Sequence, residues 1–246
     1  MTWIRAAIGL FLLLLLGPIA VAVGGEVNVA RDWSKASRES ANIAPDPGVT
    51  RDAVVQVYAA RTFGWRGVLA VHTWISVKPQ GADTYTNYEV IGWRAFHGGS
   101  ALQIHQGVPD RHWYGARPEL LADLRGEAAS NAIPAIREAV KSYPWADEYR
   151  TWPGPNSNTF TAYVSRRVPA LALDLPPTAI GKDYLGDTTL FASTPSGGGL
   201  QFSLLGLVGV LVSVEEGIEI NLFGLAFGID PGDAALRLPG AGLLKL

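Results

Sequence analysis

The period of the hydrophobic positions changes repeatedly along this chain. Behind Arg5 lie twenty uncharged residues, 6–25, with the run FLLLLL at their centre and helix-breaking Gly17 and Pro18 after it. Residues 26–50 are polar and contain the turn sequence Asp46-Pro47-Gly48, which predicts a linker or a partly ordered approach to a domain. From Ala53 the period becomes that of strands. Residues 53–61 and 67–79 are rich in β-branched and aromatic side chains and flank a short connection, so they predict a hairpin. Residues 86–96 predict a third strand, closed by Gly98 and Gly99, and 98–115 reads as loop.

Helical spacing then takes over. Pro118 before Leu120, Leu121 and Leu124, with Gly126 behind them, predicts one helix, and Ser130 as a cap before Ile133, Ile136 and Val140 predicts a second. Phe160, Tyr163 and Val164 share a face of a third, opening near Asn156 or Ser157. Residues 168–196 are proline-rich and irregular. Residues 199–230 hold two apolar segments around Glu215, Glu216 and Gly217, too interrupted by glycine for a membrane span, and predict a buried hairpin with the glutamates at its tip. Strands, helices and strands in that order predict an α+β fold: a mostly antiparallel sheet packed with helices, plus a C-terminal β-hairpin. The matching division is 1–25, a signal peptide or N-terminal membrane anchor; 26–50, a linker; 51–196, the α+β core; and 197–246, its C-terminal β extension.

Composition excludes several classes. With 20 Lys+Arg against 22 Asp+Glu the chain has no basic excess for phosphates, so nucleic acid is not expected as a main partner. Cysteine is absent, which removes disulfides, Cys-ligated metal and any thiolate nucleophile. The apolar run stops early for a span of about 20 residues, and Ala20 and Ala22 form the small-x-small pattern of a secretory cleavage site, so a signal peptide and an uncleaved anchor fit equally. A lone Arg5 with no basic cluster beyond predicts an exported chain, periplasmic or membrane-anchored and facing away from the cytoplasm.

Candidate chemistry rests on few residues. His72 lies inside an apolar strand, where alternation puts Val68, Ala70 and Trp74 on its face. It is either a core histidine with a structural partner or a general acid or base working near neutral pH. Ser157 is delivered by a Pro- and Gly-rich loop to the first turn of a helix, where unpaired amides and the dipole favour developing negative charge. Asn156 and Ser157 are equally the residue types that cap helices without chemistry. His97, His105 and His112, with Asp110 nearby, match no familiar ligand spacing, so no metal or other cofactor is expected. Trp65, Trp74, Trp93, Trp113, Trp145 and Trp152 are either core and rim or the lining of a groove for sugar or lipid.

The motifs AVHTWI, NYEVIGWR, PNSNTF and PPTAIGKDYL, between about residues 53 and 184, resemble the bacterial domain-of-unknown-function family 3750. That resemblance implies no established activity. More distantly, a His in an early strand, a polar residue in the next and N-x-N-x-F opening a later helix look like the circularly permuted papain-like superfamily, which includes lecithin retinol acyltransferase and various peptidases and amidases. The second resemblance implies a permuted papain-like topology, a base at His72, an orienting residue at Glu89 or Asn87 and a nucleophile at Ser157. Those enzymes carry cysteine at the position of Ser157, and a helix dipole worth roughly 0.3 to 2 kcal/mol does not ionise a serine. His72 would therefore have to act as a true general base. The resulting expectation is a cell-envelope hydrolase or acyltransferase working on an amide or ester. Trp74, Trp93, Asn156 and Asn158 would contact a small-molecule, lipid or cell-wall peptide substrate, and the first amides of the third helix would hold the oxyanion. The alternative is a non-catalytic envelope module binding through the same cleft.

Overall fold

A computed structural model of the chain describes residues 2–25, 27 and 34–246. The uncharged N-terminal run forms two helices, Thr2–Leu14 (α1) and Leu16–Val23 (α2). Pro18 falls in the first turn of α2, where its missing N–H is tolerated. At 13 residues α1 is about 20 Å long, and among the described residues no helix is long and apolar enough to cross a membrane. α2 buries Pro18 and Val21, and a side chain on Gly17 would overlap the carbonyl of Pro239, so the C-terminal end of the chain packs against this helix.

The first sheet is antiparallel throughout. Val54–Arg61 (β1) and Val71–Lys78 (β2) form the expected hairpin around a 3₁₀ turn at Gly64–Val68. Thr86–Val90 (β3) and Leu102–Gln106 (β4) extend it on one side and Glu119–Arg125 (β5) on the other, giving the order β4-β3-β2-β1-β5. Alternation explains how it packs. Val55, Val57, Ala59, Val71, Ile75 and Val77 form one apolar face, buried beneath the helices Gly126–Lys141 (α4) and Ser157–Arg167 (α5). The third strand ends at Val90 and turns into a short helix, Gly92–Phe96 (α3).

Several expectations are corrected. Residues 118–126 are not a helix: a segment this short is marginal as a helix, and pairing as β5 satisfies the open edge of β1. Residues 98–115 are not all loop, since β4 pairs there with β3. The second predicted helix begins at Gly126, so Ser130 lies inside α4 and caps nothing. Val68 belongs to the 3₁₀ turn and Ala70 precedes β2, which leaves Trp74 as the face neighbour of His72 within the strand. α5 opens at Ser157 as expected.

The C-terminal hairpin is a larger object, a second sheet of seven consecutive antiparallel strands. These are Phe191–Ser193 (β6), Leu200–Leu204 (β7), Val208–Ser213 (β8), Gly217–Leu222 (β9), Leu225–Asp230 (β10), Ala235–Leu238 (β11) and Gly242–Lys245 (β12). Glu215 and Glu216 occupy the β8–β9 turn, as expected. Buried ion pairs join this sheet to the core: Lys182 Nζ and Arg237 Nε lie 2.6 and 2.7 Å from the carboxylate of Glu219, and Arg237 also meets Asp174 at 2.8 Å. In the polar segment before β1, Ala36 and Ala41 are buried, and Asp110 accepts hydrogen bonds from Ser40 Oγ and from the amides of Ile43 and Ala44.

Candidate functional site

The face of the first sheet opposite α4 and α5 is polar and buried, carrying Gln56, Tyr58, His72, Trp74, Ser76, Asn87 and Glu89. Such a face is stable only if its polar groups are paired. Glu89, 1% exposed, is the hub. Its Oε2 lies 3.0 Å from His72 Nε2, and its Oε1 lies 2.7 Å from His105 Nε2 and 2.6 Å from Arg111 Nη2. Pairing of Ile75 with Tyr88 sets Glu89 diagonal to His72 across β2 and β3, and pairing of Asn87 with His105 brings His105 in from β4. The imidazole of His72 stacks on Trp113, ring centres 3.6 Å apart and planes within 9°.

Electrostatics fixes the protonation of Glu89 and His72. Burial alone would raise the Glu89 carboxyl, but hydrogen bonds from His105 and His72 and the charge of Arg111 outweigh it and hold the group well below the usual carboxylate range. Burial pushes His72 below the ordinary imidazole value, more strongly than the Glu89 hydrogen bond and charge push it up. At neutral pH a neutral imidazole therefore faces an ionised carboxylate. The Nε2 proton is donated to Glu89, and Nδ1 keeps its lone pair.

Asn156 anchors the start of α5. Its Oδ1 accepts from the amides of Asn158 and Thr159, while its Nδ2 donates to the carbonyls of Thr151 and Ile180. Gly181, at φ +102°, leaves room for that amide, which a Cβ would strike. Asn158 ties the helix to β2, donating to Val71 and Ile180 carbonyls and accepting from Thr73 Oγ1. Thr73 and His72 are consecutive, so Thr73 points to α5 and His72 to the opposite layer. The cap consumes two of the first amides of α5, contrary to the expectation that they stand free for an oxyanion. The Ser157 N–H, at the first helical position, is the amide of that turn left outside the cap.

Both layers meet at a cavity of about 510 Å³ that wraps the start of β2. His72 and Ser157 both line it, although no hydrogen bond joins them. Its walls are rich in aromatic rings, with Trp65, Trp93, Trp113, Tyr149 and Trp152 among them, and the β9–β10 turn at Phe223 and Gly224 closes one side. Trp152 Nε1 donates to the carbonyl of Phe223, so the second sheet completes the cavity wall.

Of the expected site residues, His72, Trp93, Asn156, Ser157 and Asn158 border the cavity, and Glu89 stands behind His72. Trp74 does not. It is fully buried, stacked on Tyr58 and bonded through Nε1 to the Pro109 carbonyl, so it is a core residue and not a substrate contact. The amides of Asn156 and Asn158 are spent on helix anchoring. Asn87, the other candidate to orient His72, accepts from Ser76 Oγ instead. His97 and His112 bond the carbonyls of Trp93 and Glu39, and among the described residues no group of His, Asp and Glu could hold a metal ion. His105 and Arg111 were not expected at the site, and Trp113, one of the tryptophans offered as a groove lining, does border the cavity. Reading LQIHQ as a strand, with Gln103 and His105 on one side, was the signal available for the first of them.

Comparison with curated proteins and with solved structures finds no match. A family model does match, over residues 52–184. That span runs from the start of β1 past Ser157 and includes His72, Glu89, His105 and Arg111, stopping short of the second sheet. The chain belongs to the family described as Protein of unknown function (DUF3750).

Proposed function

We propose that this chain is an envelope hydrolase or acyltransferase that works on an amide or ester through Ser157 and His72, on a scaffold akin to the permuted papain-like enzymes. The observation that carries the reading is that an imidazole whose Nε2 meets a buried carboxylate lines the same cavity as a serine at the first position of a helix. Because His72 leaves β2 on the face opposite α5, its Nδ1 takes the Ser157 hydroxyl proton through a water in the shared cavity as Oγ attacks the carbonyl carbon. The Ser157 N–H donates to the oxyanion that forms, and the imidazolium then returns its proton to the departing amine or alcohol. Water or a second acceptor hydrolyses or takes the acyl group by the reverse sequence. Glu89 fixes the imidazole tautomer, and the aromatic walls suit a small-molecule, lipid or peptide substrate with an apolar part. Residues 6–25 would direct the chain to, or hold it at, the membrane, with the domain outside the cytoplasm.

A second reading, a non-catalytic binding module, is favoured by one observation: His72 and Ser157 share the cavity without a hydrogen bond. A serine-directed fluorophosphonate probe separates the two. Labelling of the full chain that disappears in Ser157→Ala, with the fold retained by circular dichroism, is the expected result. An unlabelled wild-type chain that binds ligand saturably would favour the module.

A further inference from the structure

The second sheet is inside out. Its core-facing side carries Gln201, Glu219, Asn221, Asp230 and Arg237, all buried. Its outer side is apolar. Leu200, Val212, Ile218, Ile229, Leu236 and Leu244 are paired neighbours in one row across the strands. Phe191, Phe202, Val210, Ile220 and Phe227 form the row beside it. Most of these side chains stay open to solvent in the single chain: Leu200 is 61% exposed, Ile229 51%, Val212 48% and Ile218 45%, while Phe202, Ile220, Phe227 and Leu236 are half-buried. An antiparallel sheet normally turns its apolar face to the core, and a contiguous patch of this size marks an interaction surface.

We propose that this outer face docks against the same face of a second copy of the chain, as a sheet-on-sheet dimer. Area supports the assignment. Seven strands about 4.8 Å apart and about five residues long at roughly 3.4 Å each cover roughly 500 Å² in plan, and protruding side chains raise this toward the ~800 Å² per partner of a stable interface. Charge supports it too. No charged side chain projects from the two rows, so a two-fold packing about 10 Å deep sets no like charges opposite one another. Within the strands and turns of the sheet the exposed charged residues are Glu215, Asp233 and Lys245, the last two paired at 3.4 Å, so they form no basic cluster. An anionic lipid surface would call for a basic rim. The dimer is independent of the Ser157 chemistry.

Because the chain has no cysteine, a single introduced one reports on the face alone. In the full chain, Ile218→Cys is expected to form a covalent dimer with a short bis-maleimide, and Asp83→Cys, on the β2–β3 loop, is not. Sedimentation should give twice the monomer mass for the wild type and the monomer mass for Ile218→Glu or Val210→Glu, with unchanged circular dichroism, since both side chains are solvent-exposed in the single chain. Wild type sedimenting as a monomer at about 100 µM would overturn the proposal. So would dimers that persist in both glutamate variants, or a monomer whose binding to phosphatidylglycerol–phosphatidylcholine vesicles is lost in Ile218→Glu.

Discussion

Glu89→Gln is expected to destabilise the fold by about 3 kcal/mol at neutral pH, because it leaves the Arg111 guanidinium facing a neutral amide in a buried layer. Partial access of Arg111 and His105 to solvent keeps the loss at the lower end of what a broken buried pair costs. The sign of its pH dependence follows from the carboxyl being held down in the folded state. Its stabilisation is fully present above the ordinary value of 4.5 and is lost as the pH falls below it toward the folded-state value. The gap in urea midpoint between wild type and variant should therefore be widest near pH 7 and narrow in acid. The same change frees the Nε2 proton of His72 from a charged acceptor, so labelling or turnover at Ser157 should fall by about 10² to 10⁴-fold. A variant with wild-type stability at pH 7 would show that the carboxylate is not the hub of this face.

Arg237→Ala is the second large expected effect. Arg237 is completely buried between Glu219 and Asp174 and also donates to the Leu175 carbonyl. Removing it leaves Glu219 with Lys182 alone and Asp174 without its bidentate partner, at a cost of about 3 to 5 kcal/mol. These contacts join the second sheet to the core, so the loss should fall on the attachment of the sheet. Thermal unfolding should shift down, and limited proteolysis should cut early in the segment 185–190 that leads into β6. Since Phe223 and Gly224 close one side of the cavity, ligand access at Ser157 should change as well. Unchanged melting in this variant would contradict the role given to the buried ion pairs.

How much of this was legible in the sequence follows from the range of the forces involved. The β1–β2 hairpin and the opening of α5 are set by local signals, β-branched runs around a short connection and an Asn–Ser cap, and both were read correctly. β5 was not. Its leucine spacing suits a helix locally, and only the open edge of β1, distant in sequence, decides for a strand. The second sheet misled for a different reason: its apolar residues alternate as a strand should, but they mark the outer face, whereas the polar positions are buried against the ionic groups of the core. His72 and Ser157 stood out as residue types, and Glu89 was a candidate partner. Arg111 and Trp113 lie in a stretch without regular period, and nothing short of the folded chain brings them to His72.

If His72 activates Ser157 across their shared cavity, fluorophosphonate labelling should be about 10² to 10⁴-fold slower in His72→Ala than in the wild type. Wild-type labelling should rise with pH through a value below the ordinary 6.5 of histidine and be flat above pH 7. Labelling of Ser157 at the wild-type rate in His72→Ala, with no such rise, would contradict that activation.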